Sequence, residues 1–573
     1  MSLLLVSTIF LPLVGAVALA VIANRGRALI RLVALAVTLL TLVGAAMVVA
    51  SYPADGVLPE SGAHAAADLA WISGASGGGA SGGGAADLSV PSRWLPDIRF
   101  RVGLDGLGVW MYGLAALLMV TAVLVSWEAI EDRPALFYGM LLLLESGCLG
   151  VFAARDLLLF YIFFEFTLIP LFFLIGIWGS EQRRYAAIKF FLFTLAGSVL
   201  TFLGMLAIVL WDARQTGAGL RFSIPDLTAA LAIHPLPVTW QIWIFLALFA
   251  GFAIKVPLFP LHTWLPLAHV QAPTAGSVIL AGVLLKIGTY GFVRFNLPLL
   301  PEASAFFMPA IMTLSVAGIV YGALVALAQS DIKRLIAYSS VSHLGYCMLG
   351  LFALNPLGMQ GGVLQMVNHG LSTGGLFALV GMLYERYHTR EIAQYGGLAA
   401  RLPKLSCLML LFTFSSIGLP GLNGFAGEFL ILIGTFQRAM VEAAGGSRFL
   451  LQVVAVVAVS GVVLGAWYML SLVRRVFFGP WREPAADGHH ADAPRDLTIR
   501  ELAALLPLVI FVFWIGLAPD YFLRRMAPTL DPIAATAARP LHLQSLVRPE
   551  TAAVQPSADR LPAQLTSTNA EQR

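Results

Sequence analysis

The stretch LFAGFAIKVPLFPLHTWLPLAHVQAPTAGSV, Leu248 to Val278, decides how this chain is built. An apolar run ends on Lys255, and Pro257, Pro260, Pro266 and Pro273 then follow in close succession. Proline removes a backbone donor and breaks a helix. Inside a bilayer a broken helix is tolerated only where it is buried in protein or lines a hydrated cavity. Discontinuous helices of this kind hold ions near the midplane of many transporters. His262 and His269 flank the break. A buried lysine gains and loses a proton where arginine cannot, so Lys255 is a candidate proton carrier.

Most of the rest of the chain reads as membrane-spanning. Of 573 residues, 59% are apolar and only 12% charged, against about 25% charged in an ordinary soluble domain. Apolar segments long enough to cross a ~30 Å hydrocarbon core recur from end to end. About 14 spans are expected, near 2–23, 29–51, 107–126, 135–153, 157–178, 186–211, 240–258, 273–298, 305–328, 335–353, 363–384, 406–435, 450–473 and 501–520. The fold class is an all-α polytopic membrane protein without a soluble domain. The first segment lacks the basic region of a signal peptide and is followed at once by a second span, so it is read as a retained helix.

A net charge of +4 reflects basic loops and not a nucleic-acid surface. Assigning Arg25, Arg27 and Arg31, Arg183 and Arg184, Lys333 and Arg334, and Arg474 and Arg475 to cytoplasmic loops leaves both termini extracytoplasmic. The opposite loops are sparser, with Arg155, Arg294 and Arg438 among them. Cys148, Cys347 and Cys407 stand singly in apolar segments and are read as buried small side chains, without zinc or cluster spacing. There is no P-loop, flavin, nicotinamide or haem motif, so no cofactor and no metal is expected in this chain. It is read as moving ions, not electrons.

Two regions lie outside the membrane. The loop from about 51 to 101 contains SGASGGGASGGG, Ser73 to Gly84. Gly77, Gly79 and Gly82 form a G-x-G-x-x-G match, but no strand is expected before it and no helix after it, so a dinucleotide site is set aside. The tail after Arg525 is read as loosely ordered. The chain divides into residues 1–106, a repeat 107–298 broken near 255–266, a second repeat 299–476 broken near 418–424, and 477–573. Paired breaks of this kind are the sequence pointer to inverted repeats.

Ionisable groups inside apolar spans are costly and mark ion pathways. In RDLLLFYIFFEFTLIPLFFLIGIWG, Arg155 to Gly179, Asp156 is placed to cap a helix, and Glu165 lies about 13.5 Å further along the axis among phenylalanines. Glu165 needs a cation on a neighbouring helix, or it stays protonated; Lys255 is the expected partner, and a plain structural ion pair is the alternative. Lys286 lies among Gly276, Ala281, Gly282 and Gly288, small residues that permit close helix contact, so it is expected to face the bundle interior. In FTFSSIGLPGLNGFAGEFLILIGTF, Phe412 to Phe436, Gly418, Pro420, Gly421 and Gly424 interrupt a second span, and Glu428 follows. His343 and His369 fall in spans among Ser339, Ser340, Ser342, Asn368 and Ser372, where a water chain is possible and histidine relays protons near neutral pH. Packing is the alternative for both, as it is for His262 and His269. Lys189, five residues from Arg184, is open to snorkelling to the interface, and Glu145 is ambiguous in the same way.

Taken together, these motifs, with DIKRLIAYSSVSHLGY and LPGLNGFAGEF, resemble the antiporter-like subunits of respiratory complex I, the proton-pumping NADH–quinone oxidoreductase. Glu428, where related subunits of the L and N types carry lysine, is similar to the M type, the mitochondrial chain 4 class. The absence of a long amphipathic helix and extra span after residue 525 points the same way. The resemblance implies that Glu165 and Lys255 form a coupling pair, that Lys286 is the central relay, and that Glu428 leads to the exit side. It implies FMN, iron–sulfur clusters and quinone in partner subunits, L- and N-type subunits as neighbours, and an energy-transducing membrane, the bacterial inner membrane. A Mrp-type cation/proton antiporter subunit is the alternative reading, and a purely structural membrane subunit the third.

Overall fold

A chain this apolar must satisfy its backbone hydrogen bonds within each segment, and it does so as helices. The computed structural model describes residues 1–59, 62–73, 96–217, 219–443, 445–484 and 495–538. The first half carries α1 (Ser2–Val21), α2 (Arg27–Ala50), α3 (Gly108–Val125), α4 (Pro134–Ala153), α5 (Leu157–Trp178), α6 (Arg183–Thr216), the short α7 (Ile224–Ile233) and α8 (Val238–Lys255). After the first break come α9 (Trp264–Gln271), α10 (Thr274–Leu299), α11 (Pro301–Leu327), α12 (Ile332–Leu351) and α13 (Pro356–Tyr387). The second break separates α14 (Pro403–Ser416) from α15 (Asn423–Gln437), and α16 (Arg448–Phe477), α17 (Ile499–Leu517) and α18 (Asp520–Ala537) complete the chain.

Among the described residues, 12 helices are long and apolar enough to cross a membrane, against the expected fourteen or so. The difference is physical. Helix α12 has the length but carries Lys333, Arg334, three serines and His343. The segment 406–435 is divided into α14 and α15, neither of which is a full span alone. Helices α10 and α13 are wholly buried inside the protein across their most apolar windows, while α16 is only 28% buried there. Shielding by protein on every side is what lets α13 carry Gln365, Asn368, His369, Ser372 and Thr373 within a span. In α10, π-turns at Leu280–Leu284 and Phe292–Asn296 bracket Lys286, and such turns free carbonyls for side-chain partners.

The fold is the expected helical membrane class, with one small sheet beside the helices: β1 (His64–Ser73) pairs antiparallel with β2 (Pro96–Leu104), and β3 (Leu220–Arg221) adds in parallel to β2. The signal was the alternation Ile98, Phe100, Val102, Leu104 against Arg99 and Arg101. Asp68 on β1 meets Arg99 and Arg101 at 2.7 Å each. A strand therefore does precede the glycine-rich stretch. Its antiparallel partner is not the βαβ unit a dinucleotide site needs, and Gly77, Gly79 and Gly82 themselves lie outside the described residues.

Helix α18 carries the chain past Arg525 to Ala537, where a loosely ordered tail was expected. Phe522, Met526, Leu530 and Ala534 recur every fourth residue on the buried face of α18, an apolar stripe at helical spacing. Cys407 is exposed, unlike the buried Cys148 and Cys347.

Arg155 and Arg294, expected in loops, are buried on one carboxylate. Asp105 lies 3.0 Å from Arg155 Nη1 and accepts from Arg294 Nη2 at 2.8 Å. This cluster ties the start of α3 to the α4–α5 junction and to the end of α10.

Candidate functional site

Lys286 is fully buried on α10, where glycine permits close packing: a Cβ at Gly282 would lie 2.3 Å from Leu118, and one at Gly288 2.7 Å from the Phe252 carbonyl. Its ammonium donates to the Ala281 carbonyl, five residues back through the π-turn, and stands 2.7 Å from His369 Nδ1 on α13. The other ring nitrogen of His369 is buried without a partner. The rings of His369 and His343, the latter on α12, are 5.7 Å apart between centroids. His343 Nδ1 is 3.5 Å from Glu428 Oε1 on α15, while its Nε2 is 3.1 Å from Ser416 Oγ and 3.3 Å from Tyr468 Oη. Four expected residues thus form one buried line: Lys286, His369, His343, Glu428.

Ser339 and Ser340 donate to the Ile336 carbonyl and Ser342 to that of Ile319.

Glu165 and Lys255 come near each other but form no ion pair within 4.0 Å. Lys255 ends α8 at the first break, and its ammonium rests 4.3 Å from the centre of the Phe164 ring, one residue from Glu165. Glu165 is half-buried, with Oε1 unpartnered and Ser198 of α6 beside it. Lys189 is half-buried, with its ammonium 6.0 Å from the Tyr185 ring. Glu145 is fully buried on α4 with both carboxyl oxygens unpartnered.

His262 sits among Phe259, Tyr321 and Tyr338 at the first break. His269 is fully buried with both ring nitrogens unpartnered, stacked on Phe377 at 4.6 Å, and within electrostatic reach of Lys286 and Lys333. Lys333 donates to the Ala272 carbonyl and lines a cavity of about 250 Å³ shared with Glu385 and Arg390. Sequence reasoning missed Lys333 because it neighbours Arg334 in a basic cluster. It also missed Gln365, which donates to Glu428 Oε1 at 3.2 Å. A lone glutamine in an apolar span was the available signal.

Among the described residues no group of histidine, cysteine and carboxylate side chains could hold a metal ion. The membrane family described as NADH:quinone oxidoreductase/Mrp antiporter matches residues 154–462, which span both breaks and the whole buried line. The chain belongs to that family. Within it, NADH-quinone oxidoreductase subunit M of Rhodobacter capsulatus is 44% identical over 440 residues, covering 76% of this chain and 82% of the relative. A chain of respiratory complex I from Thermus thermophilus superposes with a TM-score of 0.77 at 33% identity, over 93% of this chain and 99% of the other. A chain of the Mrp complex from a Dietzia species reaches a TM-score of 0.71 at 21% identity, over 94% and 99%, a likeness of fold alone. The resemblance to antiporter-like complex I subunits of the M type is thereby upheld.

Proposed function

We propose that this chain is the proton-translocating M-type subunit of an NADH–quinone oxidoreductase, carrying protons along Lys286, His369, His343 and Glu428. The observation that carries the reading is the buried line itself, with contacts of 2.7 Å and 3.5 Å at its two ends. Lysine releases a proton to a neutral histidine, histidine passes it on, and a carboxylate receives it. Glu165 and Lys255 form the coupling end: an unpaired carboxyl near an amine held on an aromatic face is a pair that a shift of charge next door can close or open. His269 and the Lys333 cavity support proton uptake from the side that the basic loops assign to the cytoplasm. Lys189, Glu145 and His262 are side positions of the same pathway.

The redox chemistry belongs to partner subunits holding FMN, iron–sulfur clusters and quinone, with L- and N-type subunits alongside in an energy-transducing bacterial inner membrane. Fourteen spans in two inverted repeats, with extracytoplasmic termini, complete the proposal; the paired breaks before α9 and α15 support it. A Mrp-type antiporter subunit shares the fold, but the 44% identity to a subunit M favours complex I. Purification of the native assembly tests this. Flavin and iron–sulfur subunits that co-purify with NADH-driven pumping support the reading, and sodium-dependent exchange without them refutes it.

A further inference from the structure

Glu428 is not held by histidine alone. Gln365 Nε2 donates at 3.2 Å to Oε1, the same oxygen that faces His343. Gln365 is held in turn: Asn368 Nδ2 donates to Gln365 Oε1 at 3.1 Å and to the Asn423 carbonyl at 2.8 Å. Asn423 begins α15, directly after the second break, and its side chain accepts from Ser415 Oγ at 2.6 Å, just before that break. Glycine makes room for this bracket. A Cβ at 427 would lie 2.4 Å from Gln365 Oε1, and one at 418 would lie 2.6 Å from Glu428 Oε2.

We infer that Gln365, braced by Asn368 across the second break, is a positioning residue that fixes the Glu428 carboxylate toward His343 and sets how readily it gives up its proton. The inference rests on the proposed proton path. A neutral amide donor favours the charged carboxylate without supplying a proton of its own. The bracket ends on the Asn423 carbonyl at the start of α15, directly after residues 417–422, and the Asn423 side chain reaches back across them to Ser415. The titratable groups facing Glu428 are His343, Tyr346 and Cys347 on α12 and Tyr468 on α16. Helix α17, also packed on α15, carries its ionisable Arg500 and Glu501 in its first turn, as α14 carries Lys404 and Cys407 near its start.

The test uses everted membrane vesicles holding the whole assembly, with NADH-driven pumping recorded against pH. Gln365→Leu removes the donor and is expected to move the acid limb of the profile about one pH unit upward, a tenfold change in proton occupancy. Gln365→Lys, placing a cation there, is expected to move it downward, and Asn368→Leu to move it upward by less. Leucine and lysine shifting the limb in the same direction, or lowering the rate at every pH without moving it, would overturn the inference. Should Gln365→Leu fail to assemble, Gln365→Ser and Asn368→Leu carry the same comparison. Glu428→Gln separates the two levels: normal pumping in it overturns the proton path itself, whereas lost pumping with unmoved limbs in the Gln365 series overturns only the positioning role.

Discussion

Lys286 Nζ and His369 Nδ1 face each other at 2.7 Å in the protein interior, and among the described residues no carboxylate lies within ion-pair distance of that lysine. A buried ammonium with only a carbonyl and an imidazole for partners is held by hydrogen bonds, not by an opposite charge. When the lysine is charged, Nδ1 must be the accepting nitrogen, which leaves the proton of a neutral His369 on Nε2.

Lys286→Arg keeps the charge but cannot release the proton. Proton pumping per NADH oxidised is expected to fall at least about tenfold, since a lost proton-transfer group typically costs 10²–10⁴ in its own step. Stoichiometry measured in assembled vesicles checks this. Unchanged pumping would remove Lys286 from the path.

His269→Phe preserves the stack on Phe377 and removes both unpartnered nitrogens. If His269 feeds Lys286, pumping falls severalfold while the amount of assembled complex stays the same. A packing role predicts no change in either quantity.

Gly288→Ala places a Cβ 2.7 Å from the Phe252 carbonyl and 2.8 Å from Val256 N, both rigid backbone. Overpacking of this kind costs about 1–3 kcal/mol, and here it would also push Lys286 away from the end of α8. Gly139→Ala, with nothing within 4 Å, is the control; in a helix it is expected to be stabilising by about 0.5–1 kcal/mol. Thermal inactivation of the purified assembly separates the two.

Asp105→Asn leaves two buried guanidiniums without their carboxylate, and breaking such a group costs about 3–5 kcal/mol. Burial by itself would raise the Asp105 carboxyl, but the charges of Arg294 and Arg155 outweigh it and hold the group well below its ordinary 3.8. A depressed carboxyl stabilises the fold above its unfolded value, and that contribution is lost as pH falls toward the folded one. The stability gap between wild type and variant is therefore expected to be full near neutrality and to shrink once pH drops below about 4. Thermal inactivation at the two pH values measures it, and a gap independent of pH contradicts the assignment.

Much of the site was legible because membrane burial makes every ionisable residue conspicuous. Glu165, Lys255, Lys286 and Glu428 stand out of apolar runs, and the prolines and glycines beside them mark the breaks on which α8 and α15 end and begin. What stayed hidden was either uncharged or local in the wrong place. Gln365 carries no charge to betray it. Arg155 and Arg294 read as loop residues until Asp105 gathered them, and β1 and β2 read as a connecting loop because their alternation is short.

By itself, the amino-acid sequence determined that the chain is a helical membrane protein with two broken spans and ionisable side chains inside them, since long apolar segments satisfy their backbone as helices and hydrocarbon penalises every charge. Only the tertiary structure decided which of those groups meet. Lys286 and His369 are separated by 83 positions and touch, whereas Glu165 and Lys255, read as a pair, stop short of one. Periodicity fixes the face a residue occupies on its own helix. Contact between helices depends on how close glycine lets their backbones come, and that is a property of the packed bundle.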